Sequence, residues 1–405
     1  MTTDSAKHIL EKLLETNPEA EIWWDSSPLV YPNWAKETVA KAPAEHKPTV
    51  EDQVARLFDT SRLETVLFRG VTTNPPLSHN VMKDDPERWT QFVREQMESD
   101  PAADVETTYW RTYKEFVRLG AEYMRPIWES SDHRYGYLSG QVDPRSVFDS
   151  DAMLAQALEI ADLGPNVMVK VPGSREGYEV IEELTARGIA TNNTLAFCVP
   201  QFVACMDAVE RGLARARAEG VSLARFRSVI THMSARYGSL GDLESQAKAR
   251  DITLSETDVR WAELAIFKRA YGLTNARSGY PGKMLMCSMR MGPDDGSGLK
   301  ESWHIHKIAG SDVVYTCPPG YIAELMGAAP VMKPFDPEAI HEEPPKEVLA
   351  KLERIPYFTS SYEPDGLTPA EFNSHGALVS TMWEFSRATR GMVDFVRKIY
   401  QDAGR

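Results

Sequence analysis

Cysteine is scarce in this chain, with four residues, Cys198, Cys205, Cys287 and Cys317, among 405. Four scattered cysteines exclude a disulfide framework, and the absence of a C-x-x-C pair argues against a zinc or redox site, so we expect buried thiols. No apolar run is long enough to cross a membrane, and the opening segment lacks the apolar core of a signal peptide. We therefore expect a cytoplasmic protein with no membrane partner.

Positive charge is in deficit, since 45 Lys and Arg residues against 59 Asp and Glu residues give a formal net charge of −14. Such a chain repels nucleic acid, which is therefore not expected as a partner. A small anionic ligand remains compatible with this charge if a local group of Arg or Lys residues binds it.

Cofactor motifs are also missing. The chain has no G-x-G-x-x-G after a strand and no G-x-x-x-x-G-K, so no nucleotide cofactor is expected. His304 and His306 are two residues apart on a predicted helix and point in different directions, so they cannot share a metal ion. The sequence therefore predicts neither an organic cofactor nor a metal.

Eight short runs rich in β-branched and aromatic residues recur between longer amphipathic segments. They cover 21–25, 65–70, 136–142, 166–172, 188–194, 228–232, 283–288 and 312–317. Most precede a predicted helix, as at 151–162, 176–187, 199–218, 257–271 and 320–327. Alternating strands and helices indicate a parallel sheet, and eight units over this length predict a closed (β/α)8 barrel over residues 1–330, with a doubly wound open sheet as the alternative.

The pattern changes in residues 331–405, which we interpret as a C-terminal extension. A Pro- and acid-rich stretch precedes a predicted amphipathic helix at about 369–400. Its apolar residues recur at steps of three or four residues, or at sums of such steps, and are Phe372, Leu378, Met382, Phe385, Met392, Val396 and Ile399. We expect this stripe to pack on the barrel exterior; a partner-binding helix is the alternative.

Lys170 lies in the apolar run Val167 to Val171, within the fourth predicted strand. If its side chain points into a barrel, desolvation favours the neutral amine, which is a nucleophile for carbonyl groups. The alternative is a strand-end lysine whose ammonium group lies in water.

Other polar residues gather at the predicted carboxyl ends of the strands, where barrels carry their reactive groups. Asp25 is a candidate general base or a turn cap, and Asn74 precedes two prolines that indicate a turn. Arg236 and Arg290 follow the sixth and seventh strands, where barrels often bind phosphate, although surface ion pairing is an alternative for each. The remaining candidates at these ends are Gln141, Asn192, Thr194, Thr231 and Ser288.

Five segments in order resemble the transaldolase family over roughly residues 20–330. They are GVTTNPPL at 70–77, GYLSGQVDPR at 136–145, the run VKVPGSREGYEVIEELTARGIATNNTLAF at 169–197, THMSAR at 231–236 and MCSMR at 286–290. The resemblance implies a TIM barrel of the class I aldolase and transaldolase type, with the reactive lysine on the fourth strand.

The resemblance also implies roles for the candidates, residue by residue. Lys170 would form the Schiff base and Asp25 would act as acid and base, while Thr194 would help hold the catalytic water. The remaining candidates would contact substrate: Asn74 and Asn192 would orient hydroxyls, Thr231 and Ser288 would line the pocket, and Arg236 with Arg290 would bind phosphate. The implied reaction moves a dihydroxyacetone unit between phosphorylated sugars, as in the pentose phosphate pathway, without a cofactor.

Gln141 departs from the family pattern, because transaldolases present a glutamate at this position. Related fructose-6-phosphate aldolases also have glutamine there, but they supply a tyrosine on the sixth strand where this chain has Met233. The alternatives are therefore a fructose-6-phosphate-aldolase-like or specialised sugar aldolase, or a barrel that binds sugar phosphate with impaired catalysis. The extension has no counterpart in compact transaldolases and could cover the barrel, shape the acceptor site or mediate contacts in a homo-oligomer.

Overall fold

The computed structural model describes residues 7–59, 61, 63 and 65–404. Eight parallel strands form a closed barrel in which each strand pairs with the next along the chain and the last pairs with the first. The strands are β1 Glu21–Asp25, β2 Phe68–Thr72, β3 Tyr137–Gln141, β4 Val167–Pro172, β5 Thr191–Ala196, β6 Ser228–Met233, β7 Gly282–Cys287 and β8 Val314–Cys317. The predicted (β/α)8 barrel is confirmed, and the open sheet is excluded.

Helices separate the strands and cover the outside of the barrel. They are α1 Ile9–Leu14 before β1; α2 Tyr31–Lys41 and α3 Lys47–Leu57 after β1; α4 Pro75–Asp84, α5 Pro86–Ser99 and α6 Val105–Ser130 after β2; α7 Ser150–Ala161 after β3; α8 Arg175–Ala186 after β4; α9 Val199–Ala218 after β5; α10 Ser234–Leu240, α11 Leu243–Lys248 and α12 Glu256–Ala276 after β6; α13 Trp303–His306 after β7; and α14 Pro319–Ala328 after β8. The predicted helices are present, with bounds displaced by a few residues.

The second and fifth strands differ most from their predictions, each by three residues at its start and two at its end; the second was placed at 65–70. β2 starts at Phe68 and runs to Thr72, because its pairing with both neighbours continues to that residue: Thr72 is opposite Asp25 of β1 and Ser139 of β3. Leu67, just before the strand, instead donates its N–H to the carbonyl of Arg56. The carboxyl end of β2 therefore brings Thr72 beside Asp25.

The C-terminal segment forms four helices: α15 Lys346–Leu352, α16 Pro356–Tyr362, α17 Pro369–Phe372 and α18 Gly376–Asp402. The single helix predicted at 369–400 is thus wrong, because His375 adopts an extended conformation, with φ −62° and ψ 124°, and separates the last two helices. Thr368 and Glu371 form a capping box that holds α17 as a separate turn.

α18 packs on the barrel, against elements that follow the carboxyl ends of its strands. Along its length it contacts α10, which follows β6, then α4, which follows β2, and finally the start of α6. At that last contact the Tyr400 hydroxyl lies 2.7 Å from the hydroxyl of Thr108. Its apolar stripe is mostly buried, and a side chain of this helix consequently reaches the mouth of the barrel.

The four cysteines are buried free thiols, as expected. Among the helices of the described residues, none is both long enough and apolar enough to span a membrane. Over the same residues, no group of three or more His, Cys, Asp or Glu side chains has an arrangement that could hold a metal ion.

Candidate active site

A cavity of about 520 Å³ opens at the carboxyl end of the strands. This volume is in the range that holds a small-molecule ligand. Seven of the sequence candidates line it, namely Asp25, Asn74, Lys170, Thr231, Arg236, Ser288 and Arg290. The cavity is bounded on its outer side by Glu384 of α18.

Lys170 lies at the floor of the cavity, near the carboxyl end of β4, and is 4% exposed. Its Nζ donates to the carbonyl oxygen of Thr73 at 2.9 Å. Burial lowers the pKa of Lys170; the carboxylate of Asp25 partly offsets this effect, and the guanidinium of Arg236 adds to it. The side chain therefore points into the barrel, and the alternative of an ammonium group in bulk water is excluded.

Asp25 ends β1 and faces the same cavity. Burial raises the pKa of Asp25, while the charge of Lys170 and a hydrogen bond from Thr72 oppose that rise. Thr72 Oγ1 donates to Asp25 Oδ1 at 2.7 Å and also lies 2.5 Å from the hydroxyl of Thr316 on β8. Because burial raises the pKa of the acid and lowers that of the amine, it disfavours the charged form of each group.

The amide of Asn192 is fixed below the cavity by its neighbours on both sides. Its Nδ2 donates to Ser139 Oγ at 3.0 Å, and its Oδ1 accepts from Thr231 Oγ1 at 2.7 Å. Asn192 is opposite Lys170 in the pairing of β4 with β5, so this network holds a polar amide beside the lysine.

Gln141 and Thr194 lie in the barrel interior and do not line the cavity. Gln141 is opposite Lys170 in the pairing of β3 with β4, and its buried Oε1 has no hydrogen-bond partner within the described residues. The Thr194 hydroxyl lies 3.9 Å from the sulfur of Met233, which is a weak acceptor. The Gln141 oxygen and the Thr194 hydroxyl can therefore each form a further hydrogen bond.

Asn74 and Ser288 are positioned by local backbone structure at the cavity rim. Asn74 is the N-cap of α4, where its Oδ1 accepts from the N–H of Leu77 at 3.0 Å. The prolines that follow Asn74 thus correctly indicated a turn, and Asn74 also lines the pocket. Ser288 follows β7 with a φ of 57°, an uncommon left-handed conformation for a residue other than glycine.

Both candidate phosphate-binding arginines are paired with carboxylates. Arg236 donates twice to Glu384, at 2.6 and 2.9 Å, and Arg290 Nη2 donates to Glu263 at 2.8 Å. The sequence analysis gave surface ion pairing as the alternative to phosphate binding, and it identified neither partner. The two arginines nevertheless converge on one cavity.

Glu384 lines the cavity, but no sequence pattern pointed to it. It lies 148 positions from Arg236 on a helix identified only by its apolar stripe. Thr72 is the last residue of β2, and Thr316 is next to the last residue of β8. Their position at the carboxyl ends of these strands is the sequence feature that could have identified them as neighbours of Asp25.

Comparison with known proteins identifies the group to which this barrel belongs. The family model described as transaldolase/fructose-6-phosphate aldolase matches residues 52–359. The chain belongs to this family. The match includes every strand from β2 to β8, and so the strand that carries Lys170.

Three curated relatives of this transaldolase-family chain illustrate the similarity. Transaldolase of Thiobacillus denitrificans is 34% identical over 177 residues, which is 43% of this chain and 48% of that protein. Transaldolase 1 of Streptomyces avermitilis is 34% identical over 175 residues, 42% of this chain and 45% of that protein. Transaldolase of Mycobacterium tuberculosis is 31% identical over 176 residues, 43% and 46% of the two chains. The chain therefore matches about half the length of these relatives.

Proposed function

We propose that this chain is a Schiff-base-forming, transaldolase-like enzyme that transfers a dihydroxyacetone unit between phosphorylated sugars. The observation that carries the proposal is the buried amine of Lys170, whose pKa is lowered and whose nitrogen lies in a cavity also lined by Asp25. A neutral amine is the form that attacks a carbonyl group. Family membership supports the same chemistry.

In the proposed reaction, Lys170 Nζ adds to the C2 carbonyl of a ketose phosphate, and loss of water gives an iminium ion. Asp25 accepts the proton of the C4 hydroxyl while the C3–C4 bond breaks and its electron pair moves into the iminium. An aldose phosphate leaves. The enamine that remains on Lys170 attacks an acceptor aldehyde, Asp25 returns the proton, and hydrolysis of the new iminium restores the amine.

The surrounding residues have binding roles in this proposal. Asn192, held by Thr231, would orient donor hydroxyls with Asn74 at the rim, and Ser288 would line the pocket. Thr194 and the unpartnered oxygen of Gln141 would hold water for iminium hydrolysis. The phosphate would bind at Arg236 and Arg290.

The domain division proposed with this function places the barrel in residues 1–330 and the extension in 331–405. Glu384 of α18 lines the cavity. This position supports a role of the extension in shaping the acceptor site. The family match continues beyond that division, to residue 359.

Borohydride trapping tests the central claim. Reduction of the enzyme in fructose 6-phosphate should give a stable adduct in the intact mass, which peptide mapping should place on Lys170. Lys268 is an internal control, because its pKa is also lowered, to about 8, yet its Nζ is bound to three backbone carbonyls away from the cavity. Absence of an adduct on Lys170, or equal labelling of Lys268, would contradict the proposal.

Gln141 favours a second candidate, an aldolase that releases free dihydroxyacetone or acts on an unusual sugar. A glutamine amide can bind water but cannot exchange a proton with it at neutral pH. Product analysis with and without erythrose 4-phosphate separates the two reactions, because only a transferase needs the acceptor for turnover. If Gln141→Glu alone creates turnover of these sugars, the natural protein is specialised for others or serves to bind them.

A further inference from the structure

Three cationic side chains, Lys170, Arg236 and Arg290, and two carboxylates, Asp25 and Glu384, line the cavity. Lys170 lies near Asp25, and Arg236 is bound to Glu384. Arg290 is bound to Glu263, a buried residue that does not line the cavity. Among the described residues that line the cavity, every cation therefore has an anionic neighbour. Both terminal nitrogens of Arg236 are bound to Glu384, so this guanidinium can bind a phosphate dianion with its fork only if Glu384 withdraws.

Glu263 is the carboxylate that cannot withdraw. Its side chain is fully buried, and it also accepts from His304 Nε2 at 2.9 Å and lies 3.2 Å from Arg260 Nε. Moving it would leave buried donors without a partner, which is costly. Glu263 thus stays paired with Arg290.

Glu384 is in a different position, because its side chain is 45% exposed and Arg236 is its one polar partner among the described residues. Arg387 lies one turn further along α18, at the i+3 position, and is exposed. Its charge already acts on Glu384, whose pKa is lowered by Arg236 first and by Arg387 to a lesser degree. A rotation of the side chain would exchange one arginine for the other without moving the helix.

Arg236 itself is prepared to hold an anion after such an exchange. Its guanidinium stacks over the ring of Phe385 with the carbon 5.4 Å from the ring centroid, and its exposure is 21%. The two nitrogens that now bind the carboxylate form a planar fork that fits two phosphate oxygens equally well.

We propose that Glu384 is a displaceable carboxylate that competes with the substrate's phosphate for Arg236 and turns to Arg387 when phosphate binds. Glu384 then sets the affinity of the pocket for anionic ends of the substrate, and the C-terminal helix becomes part of substrate selection. This inference rests on the proposed function for the identity of the anion. It makes Glu384 a specificity-determining residue and gives it no part in the chemistry at Lys170.

Binding of inorganic phosphate to the full chain tests this inference without any reaction. Titration calorimetry should show that Glu384→Gln binds phosphate more tightly than the wild type, on the order of tenfold, because the competing charge is gone while the side-chain shape remains. Asp394→Asn is the matched control, since it removes one negative charge from the same helix at an exposed residue paired with Arg397. It should leave phosphate affinity unchanged, and Arg236→Gln should abolish the gain when combined with Glu384→Gln.

Phosphate binding that is unchanged or weaker in Glu384→Gln would overturn the inference, as would the absence of binding in both proteins. Borohydride trapping adds a second readout: the half-saturating concentration of fructose 6-phosphate should fall in Glu384→Gln, while that of dihydroxyacetone should not change. Failure to trap any imine would sink the proposed function, whereas the phosphate titration would still decide the role of Glu384.

Discussion

Removing the buried carboxylate behind the cavity should destabilise the whole barrel. Glu263 is fully buried on α12 and is approached by Arg290 Nη2, His304 Nε2 and Arg260 Nε at 2.8, 2.9 and 3.2 Å. Burial lowers the pKa of His304 to about 4, so the ring is neutral at pH 7. Its Nδ1 faces the N–H of Arg290 at 3.2 Å, which assigns the hydrogen to Nε2. Arg290 and His304 thus donate to one carboxylate, and Arg260 forms an ion pair with it.

Glu263→Gln replaces that carboxylate with an amide of similar shape. The amide is neutral, and its NH₂ group turns a donor toward other donors, so Arg260 loses most of the compensation for its buried charge. Breaking a buried ion pair costs about 3 to 5 kcal/mol in the free energy of unfolding. With an unfolding entropy of about 2 cal/mol/K per residue, that loss lowers the midpoint of thermal unfolding by about 4 to 6 °C.

Differential scanning calorimetry of the full chain at pH 7 measures this shift. Glu256→Gln is the control, because Glu256 lies on the same helix and approaches the same Arg260 at 3.8 Å but is 67% exposed. Exposed pairs contribute between about 0 and 1 kcal/mol, so the control should change the midpoint by about 1 °C or less. Equal midpoints for Glu263→Gln and Glu256→Gln would refute the reasoning that burial makes this pair costly to break.

Three further predictions concern proton binding and packing. Asp25→Asn removes the carboxylate that raises the pKa of Lys170, so the pH profile of borohydride trapping should shift to lower pH; a shift to higher pH would contradict this electrostatic reading. In Gly212→Ala the new Cβ would meet atoms of α8 at 2.5 and 2.6 Å, so the free energy of unfolding should fall by about 1 to 3 kcal/mol. Gly272 of α12 has open space around it, so Gly272→Ala should raise the free energy of unfolding by about 0.5 to 1 kcal/mol. Equilibrium unfolding measures both changes. Burial lowers the pKa of His375 from 6.5 to about 3, so the stability that the neutral ring contributes is present above pH 6.5. The free energy of unfolding should fall by up to about 1.4 kcal/mol per pH unit as the pH drops toward 3. An equally steep pH dependence of the free energy of unfolding in His375→Gln would rule this out.

The barrel could be predicted from sequence because its determinants are local. Most strands are short apolar runs that end at polar or turn residues, and most are followed by a helix of recognisable period. The ends of the strands were harder to predict from the sequence, as β2 shows. Pairing with two neighbouring strands extends β2 to Thr72, and no property of residues 65–72 alone marks that end. The break at His375 was missed for a related reason, since the apolar stripe continues through it with helical spacing.

The floor of the site was also predictable, but the mouth was not. A lysine within an apolar strand has few structural explanations, and the strand order brings Asp25, Asn192 and Lys170 to one end of the barrel. Arg236 was placed correctly at the cavity, yet the availability of its guanidinium depends on Glu384, which reaches it from a helix joined to the barrel by a long segment. Sequence patterns contain no information on such a pairing, because either residue alone is an ordinary surface charge.

The cavity therefore has two layers that respond differently to perturbation. The residues around Lys170 lie on paired strands and are held by buried hydrogen bonds, so their geometry is fixed by the fold. Arg236 and Glu384 lie on helices at the mouth, where exposure lets one side chain turn without disturbing the packing beneath it. In the proposed reaction, imine formation depends on the first layer and anion affinity on the second. Substitutions at Glu384 should then change half-saturating concentrations while leaving the pH profile of Lys170 trapping in place. Coupled changes in both quantities would show that the helix acts on the amine as well.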